Sequence, residues 1–181
     1  MAETDEQLMA RYRDGDAAAF DELYRRHRGP VYRYIQRLGH AGMDVESLYQ
    51  DAWMRVIQAR GQWRLGEGFK PWLYRIAHNR VVDVLRRDGR MQPADEQVVA
   101  SLPSTDPDTD VMQLLRDCVE RLMALIGRLP ETQRSAFLLK EEAGLSLAQI
   151  GEVTGVERET VKSRLRYALK RLRAGLEGCD E

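Results

Sequence analysis

Cysteine, histidine and signals for membrane insertion are scarce in this 181-residue sequence, and each scarcity excludes a class of protein. Cys118 and Cys179 give no metal-binding spacing and no disulfide framework. The three histidines, His27, His40 and His78, are scattered, with no second ligand at metal-binding spacing. No apolar run approaches the length of a membrane span, and nothing resembles a signal peptide. We therefore expect a cytoplasmic protein without a metal or a cofactor.

Enzyme motifs are also missing from the sequence. It contains no glycine-rich phosphate loop, no nucleophile motif and no pair of metal ligands. No segment has the alternating pattern of a strand, whereas helical periodicity recurs along most of the chain. An enzyme is therefore the alternative that the sequence supports least.

Charge is abundant but segregated. Lysine and arginine number 28 against 29 aspartates and glutamates, so the formal net charge is only −1. Basic residues concentrate in 70–90 and 158–173, and acidic residues concentrate in 1–6 and 95–110. Nucleic-acid binding, if present, must therefore depend on local basic patches and not on overall charge.

Residues Ser146 to Arg173 have the pattern of a helix-turn-helix. Ser146 and Gln149 form a capping box at the start of a short helix, and Gly155 is suited to end it. Gly151 lies inside that helix, where glycine lowers helix stability by on the order of 1 kcal/mol relative to alanine. A glycine tolerated at this cost indicates that the second helix approaches closely there.

The second helix of this motif begins near Glu157 and is amphipathic. Its apolar stripe comprises Val161, Leu165, Ala168, Leu169 and Leu172. The pattern also suits a helical hairpin with a solvated charged face. However, residues 158–173 carry seven Lys or Arg against one Glu, and the polar first turn is placed where base edges would be met. DNA binding is the interpretation we prefer.

A second basic segment, Phe69 to Arg87, predicts a helix with two different faces. The core stripe comprises Leu73, Ile76, Ala77, Val81, Val84 and Leu85. Another face comprises Trp72, Arg75, Asn79, Asp83 and Arg86. Aromatic rings interleaved with arginines suit single-stranded DNA, because bases stack on rings while guanidinium groups hold phosphates. The alternative is that Trp72 and Tyr74 belong to the core and the arginines extend over it.

The segment before this helix also predicts a helix, capped by Asp44. Its polar face carries Glu46, Ser47, Gln50, Asp51 and Arg55. Such a face is either plain solvated surface or a docking site for a basic helical partner.

These segments predict an all-α protein of two small helical domains joined by a flexible acidic linker. We expect a polar N-terminal tail over residues 1–15, a first domain over 16–87, a linker over 88–110, a second domain over 111–175 and a tail over 176–181. In the first domain, Gly29-Pro30 is expected to interrupt the helix that begins after Asp16. In the second, Cys118 is expected to be a small buried residue on an apolar stripe that includes Leu115.

This order of segments resembles bacterial sigma factors of the extracytoplasmic-function group. DVESLYQDAWMRV (Asp44 to Val56) is similar to the family's polymerase-clamp-binding helix. FKPWLYRIAHNRVVDVLRR (Phe69 to Arg87) is similar to the helix that engages and opens the minus-ten element. LPETQRSAFLL (Leu129 to Leu139) and the helix-turn-helix after it resemble the domain that binds the minus-thirty-five element. The sequence departs from the family at Ser47, usually acidic, at Trp53 and Ile57, usually Phe and Trp, and at Gly151, usually alanine.

The resemblance implies three groups of site residues and no catalytic residue. Contacts to core RNA polymerase are assigned to Glu46, Gln50, Asp51 and Arg55. Contacts to the melted minus-ten strand are assigned to Trp72, Tyr74, Arg75, Asn79 and Arg86. Contacts to the upstream duplex are assigned to Arg158, Glu159, Lys162, Ser163 and Arg166.

The partners that the resemblance implies are core RNA polymerase, promoter DNA and an inhibitory anti-sigma factor. A stand-alone regulator that binds duplex DNA through the same helix-turn-helix is the alternative. Such a regulator would not need the aromatic and basic helix at Phe69 to Arg87.

Overall fold

The computed structural model describes residues 3–89 and 111–177, which fold into eight α-helices and one short 3-10 helix, with no strand in those two ranges. The α-helices are α1 (Asp5–Arg13), α2 (Ala17–Leu38), α3 (Val45–Gln58), α4 (Phe69–Arg87), α5 (Val111–Arg128), α6 (Glu131–Glu141), α7 (Leu147–Thr154) and α8 (Arg158–Gly175). The prediction of an all-α fold is confirmed. Most of the predicted linker and most of the predicted C-terminal tail lie outside the described residues.

Helices α1 to α4 form the first half of the molecule, and their buried apolar side chains belong to a core that continues into the second half. Helix α4 packs against α1, α2 and α3. The largest fully buried side chains of this half include Leu23, Ile35, Phe69 and Leu73. Packing of this kind, rather than helix propensity, holds short helices together.

The predicted N-terminal tail is instead helix α1. Thr4 and Gln7 form a capping box, in which Gln7 Oε1 accepts from the Thr4 amide at 2.8 Å. Leu8, Met9 and Tyr12 are buried. The tail prediction was wrong, and the Thr-x-x-Gln signature of a capping box is the sequence feature that marks this helix.

Helix α2 runs without a break through Pro30, so the expected interruption at Gly29-Pro30 is also wrong. Proline removes one backbone donor from a helix interior. The residues that follow it, Val31, Tyr34 and Ile35, are fully buried. Their packing compensates for the lost hydrogen bond and keeps α2 continuous.

Helices α5 to α8 form the second half and contain the predicted helix-turn-helix. Ser146 caps α7, since its hydroxyl oxygen accepts from the Gln149 amide at 3.3 Å, and its own amide donates in return to Gln149 Oε1 at 2.9 Å. Gly155 ends α7 in the left-handed region at φ 69°, and α8 starts directly after Glu157. The predicted start, turn and second helix are all present.

Helix α5 differs from the prediction at two positions. Leu115 is exposed and is not part of the buried face. Cys118 is half-buried and disulfide-bonded, so it is not the small buried residue that we expected. Cys179, the other cysteine of the sequence, lies outside the described residues.

Gly151 lies where α7 meets the turn into α8. A Cβ at this position would be 2.6 Å from the backbone carbonyl oxygen of Val156. The close approach that Gly151 predicted is therefore real, although the contact is with the turn before α8 rather than with α8 itself. Backbone atoms cannot rotate away as a side chain can, so alanine does not fit without a shift of the turn.

We predict that Gly151→Ala destabilises the protein even though alanine favours a helix. The clash is expected to cost about 1–3 kcal/mol, more than the roughly 1 kcal/mol gained from helix propensity. The matched control is Gly127→Ala in α5, where an added Cβ has no neighbour within 4 Å. Urea unfolding of both variants tests this, and equal or higher stability of Gly151→Ala than of Gly127→Ala would contradict it.

Candidate nucleic-acid interface

The outer face of α8 is basic and open to solvent. Arg158, Glu159, Lys162 and Arg166 are exposed, and Ser163 is half-buried. The opposite face of α8 holds the helix in place, with Val161, Ala168 and Leu172 buried. The predicted duplex-contacting residues therefore share one accessible surface.

Weak local contacts arrange the charges on this face. Lys162 Nζ lies 3.7 Å from Glu159 Oε2, and the Arg166 guanidinium lies 5.2 Å from the centre of the Tyr167 ring. Both pairs are exposed, so they contribute little to stability and leave the side chains free to exchange partners. This surface suits contact with a polyanion.

Arg164 is an exception among the basic residues of α8, because it is half-buried and its charge acts on His78 of the first half. Burial lowers its pKa, and the nearby Glu131 carboxylate partly offsets that shift. The seven basic residues counted in the sequence are therefore not all available to DNA.

The predicted strand-contacting face of α4 is divided in this structure. Asn79 and Arg86 are exposed, while Arg75 is half-buried and pairs with Glu67 at 2.7 Å. Trp72 is only 4% exposed and Tyr74 only 1%. In this arrangement the two aromatic rings are buried, as the core alternative required. Their contact with a DNA strand stays a prediction.

An open cleft of about 310 Å³ lies between the end of α3, the 3-10 helix Arg60–Gln62 and α4. Its lining includes Arg55, Ile76, Asn79 and Arg80. Here the structure brings together Arg55, predicted to contact polymerase, and Asn79, predicted to contact DNA. The sequence did not indicate this proximity.

Arg80 is a residue that the sequence analysis did not select. Its side chain forms ion pairs with Asp51 of α3 and, at 3.4 Å, with Asp83 of α4. Asp51 also lies 3.5 Å from Arg55. Asp51 therefore joins α3 to α4, and it is less available to a partner than its neighbours on α3.

The other predicted polymerase-contacting residues face solvent. Glu46, Gln50 and Arg55 are exposed on α3, and Gln50 Nε2 donates to Glu46 Oε1 at 3.2 Å. No helix in the described part of the chain covers them. They leave a polar, mixed-charge surface that suits a partner carrying basic groups.

The two halves of the molecule contact each other. Helix α7 packs against α4, and α6 packs against α2. Within this contact, His78 Nδ1 lies 3.0 Å from the Tyr34 hydroxyl and 3.2 Å from the Ser135 hydroxyl. Arg37 of α2 donates to Glu142, which directly follows α6. We call these five residues the interdomain polar cluster.

Burial controls protonation in and beside this cluster. Burial, together with the charges of Arg164 and Arg86, lowers the pKa of His78 to about 4. Burial also raises the pKa of Glu131, although Arg164, Arg134 and Arg86 act in the opposite direction. His78 is therefore neutral at physiological pH, and its Nδ1 is free to accept a hydroxyl hydrogen bond.

Comparison with known families and proteins gives a consistent result. The model described as sigma-70 region 2 matches residues 23–91, and the model described as sigma-70 region 4 matches residues 119–172. The chain is 32% identical over 169 residues to the extracytoplasmic-function sigma factor SigM of Mycobacterium tuberculosis strain H37Rv, covering 93% of this chain and 83% of SigM.

A second relative is longer than this chain. It is the extracytoplasmic-function sigma factor SigE of Mycolicibacterium smegmatis, 35% identical over 166 residues. The match covers 88% of this chain but only 63% of SigE, so the chain spans less than two thirds of that relative.

Solved structures share the fold. CnrH in complex with the cytosolic domain of CnrY has a TM-score of 0.70 and 22% identity, covering 96% of this chain and 97% of CnrH. The sigma factor RpoE of Bartonella quintana, in complex with the anti-sigma factor NepR, has a TM-score of 0.68 and 23% identity, covering 88% of this chain and 97% of RpoE. In the part of the chain that the structure describes, no helix is long and apolar enough to cross a membrane.

We predict that stability falls as the pH drops from about 6.5 towards 4, because of His78. The unfolded chain binds a proton at this residue near pH 6.5, whereas the folded chain binds it only near pH 4. The loss at the lower limit is on the order of 3 kcal/mol. The contribution of Glu131 to stability has the opposite pH dependence, because its raised pKa favours the folded state as the pH falls.

The comparison of wild type with His78→Gln separates the two effects, because both proteins retain Glu131. Urea unfolding free energies measured between pH 7.5 and 4.5 should fall more steeply for wild type than for the variant. Parallel profiles would show that His78 is not held neutral by folding.

Proposed function

The chain belongs to the extracytoplasmic-function group of the sigma-70 family, and we propose that it binds core RNA polymerase and directs promoter-specific transcription initiation. One observation carries the proposal. The region 2 and region 4 matches fall, in that order, on the two helical halves, and the second half presents an exposed basic recognition helix. A stand-alone regulator would have no use for the region 2 half.

The second half is proposed to bind the minus-thirty-five element as duplex DNA. Arg158 and Lys162 are exposed at the start of α8, where they suit bidentate pairing with guanine. Glu159 suits acceptance of a hydrogen bond from cytosine N4. Ser163 and Arg166, one turn further on, suit contact with the phosphate backbone.

The first half is proposed to bind the melted minus-ten element. Asn79 and Arg80 line the cleft between α3 and α4, and exposed Arg86 lies one and a half to two turns further along α4. Unstacking a base costs a few kcal/mol, which contacts in a pocket repay. The proposed surface also includes Arg75, Trp72 and Tyr74. The rings of Trp72 and Tyr74 are buried in this structure, so they must become exposed before they can contact a strand.

The polymerase contact is proposed to use the outer face of α3. Glu46, Gln50 and Arg55 are the exposed members of that face, and Asp51 supports it through its ion pair with Arg80. Ser47 is exposed as well, and it offers a hydroxyl where the family usually has a charge.

Each half is proposed to bind weakly alone and to act only together with the other. Tethering through residues 88–110 and through the polymerase raises the effective concentration of the second contact. The functional domains are proposed to span 16–87 and 111–175. Helix α1 precedes the first of them in the sequence and packs against its helices α2 and α4. We propose that the chain makes and breaks no bond itself and that it acts in the cytoplasm beside polymerase and DNA.

An anti-sigma factor is proposed as a further partner. The support comes from RpoE, which was solved with the anti-sigma factor NepR and shares this fold.

Arg158→Ala and Lys162→Ala should each weaken use of the upstream element by roughly 1–3 kcal/mol, because one bidentate base contact is lost. Promoters are first mapped by run-off transcription of a genomic library with reconstituted polymerase, and affinity is then measured on one of them. The matched control is Lys140→Ala, an exposed lysine on α6. Unchanged affinity and selectivity in both α8 variants would refute the placement of this helix.

Asn79→Ala should impair promoter opening without changing upstream duplex binding, because Asn79 is exposed in the cleft of the first half, whereas the duplex is proposed to bind α8. Opening is measured by the fluorescence of 2-aminopurine placed in the minus-ten element. Asp21→Ala on α2, exposed and outside the cleft, is the control. Equal opening by both variants would remove Asn79 from the strand-binding surface.

A further inference from the structure

We propose that helix α1 positions two walls of the cleft between α3, the 3-10 helix and α4, and that it thereby sets the geometry in which a melted strand is bound. The inference rests on the proposed function for the identity of the strand-binding cleft. The contacts that α1 makes with the two walls do not depend on that function. Helix α1 ends at Arg13, and the match to sigma-70 region 2 begins at residue 23, so that match gives α1 no role.

Helix α1 acts from outside the cleft. The described residues that line the cleft belong to α3, the 3-10 helix, the residue between them and α4, and none of them belongs to α1. Nevertheless, α1 packs against both the 3-10 helix and α4. Buried Leu8, Met9 and Tyr12 anchor α1 to the core. It therefore supports these two walls from a position that a bound strand would not touch.

The wall formed by α4 is held at its first turn. Gly68, the residue that precedes α4, has no side chain and provides no capping hydrogen bond. Glu6 takes this role from α1, because its Oε1 accepts from the Phe69 amide at 3.2 Å. A carboxylate at the N-terminus of a helix also interacts favourably with the helix dipole. Ile76 and Asn79, which line the cleft, follow Phe69 by about two to three turns, so the placement of the first turn sets theirs.

A second contact fixes the same turn through side chains. Asp5 Oδ2 lies 2.6 Å from His27 Nε2 of α2, and the His27 ring meets the buried Phe69 ring edge to face, with 5.4 Å between ring centres. The hydrogen bond with His27 is the main cause that lowers the pKa of Asp5 below its ordinary value. Asp5 is therefore ionised at physiological pH and acts as an acceptor. Two adjacent acidic residues of α1, Asp5 and Glu6, thus hold the start of α4.

The wall formed by the 3-10 helix is held by an aromatic ring. This helix spans only Arg60–Gln62 and has no side-chain capping hydrogen bond. The Arg60 guanidinium carbon lies 5.4 Å from the centre of the Tyr12 ring, within the range of a cation–π contact. Tyr12 is itself buried and packs on Phe20, with 4.8 Å between ring centres. Gln62, at the end of the supported helix, lines the cleft.

Substitutions of Glu6 in the full-length chain test the inference. Glu6 is exposed, so its replacement removes the contact with α4 without opening a cavity in the core. Glu6→Ala removes the acceptor, whereas Glu6→Gln keeps an oxygen that can accept from the Phe69 amide. Glu3→Ala is the matched control, because it removes the same charge close to α1 and because the Glu3 carboxylate pairs with Arg11 rather than with α4.

The position of the α4 wall is measured by NMR, without reference to function. Glu6→Ala should speed hydrogen exchange of the Phe69 amide and shift the side-chain amide resonances of Asn79. Glu6→Gln should restore most of both readouts, and Glu3→Ala should leave both as in wild type. Circular dichroism should show the same helix content in all variants.

The other wall has its own pair of variants, neither of which changes charge. Tyr12→Leu removes the ring face beneath Arg60 and should shift the side-chain amide resonances of Gln62. Tyr12→Phe keeps the ring face and should shift them much less.

The effect on strand binding is measured with each variant reconstituted with core polymerase on one mapped promoter, from the fluorescence of 2-aminopurine in the minus-ten element. Glu6→Ala should slow opening roughly two- to tenfold, the change that corresponds to the loss of one net hydrogen bond. Glu6→Gln and Glu3→Ala should open the promoter at close to the wild-type rate. Affinity for the upstream duplex should be unchanged in all three, because the duplex is proposed to bind α8.

Three results would overturn the inference. One is that Glu6→Ala leaves the Phe69 exchange and the Asn79 resonances unchanged, since the carboxylate would then not hold α4. Another is that both readouts change while opening keeps its wild-type rate. The third is that Glu6→Gln or Glu3→Ala slows opening as much as Glu6→Ala, since charge rather than position would then be the cause. A failure of the proposed function differs from all three, because the wild-type chain itself would then open no promoter.

Discussion

The packing of helix α4 is the constraint on which the rest of this structure depends. Within the first half it packs against α1, α2 and α3, and its N-terminus is held by the Glu6 carboxylate, which accepts from the Phe69 amide at 3.2 Å. Against the second half it packs on α7. One helix therefore belongs to the core, borders the cleft at Asn79 and forms the contact between the two halves.

The helix-turn-helix could be predicted from the sequence because its signals are local. A capping box at Ser146, a glycine able to adopt positive φ at Gly155 and a stripe of apolar residues on α8 each act within a few residues. The glycine at 151 even indicated a close approach, which the Val156 carbonyl oxygen confirms. Exposure of the basic face followed from the same periodicity.

The structural features that could not be predicted from the sequence depend on contacts between distant segments. Tyr74 and Trp72 fit an exposed aromatic face by spacing, yet packing buries both. Asp51 fits a partner-binding face, yet Arg80, 29 residues away, pairs with it. Pro30 marks a helix boundary by local rules, but burial of Val31, Tyr34 and Ile35 overrides those rules. Propensity and pattern yield to tertiary packing in each case.

Under the proposed function, each helical half makes only part of a promoter contact, and the two act together within a larger assembly. The most direct test is reconstitution of the purified chain with core RNA polymerase, followed by transcription from genomic DNA. The account predicts a stable complex and transcripts that begin at a defined set of start sites only when the chain is present. Binding to duplex DNA with no affinity for polymerase and no defined start site would contradict it.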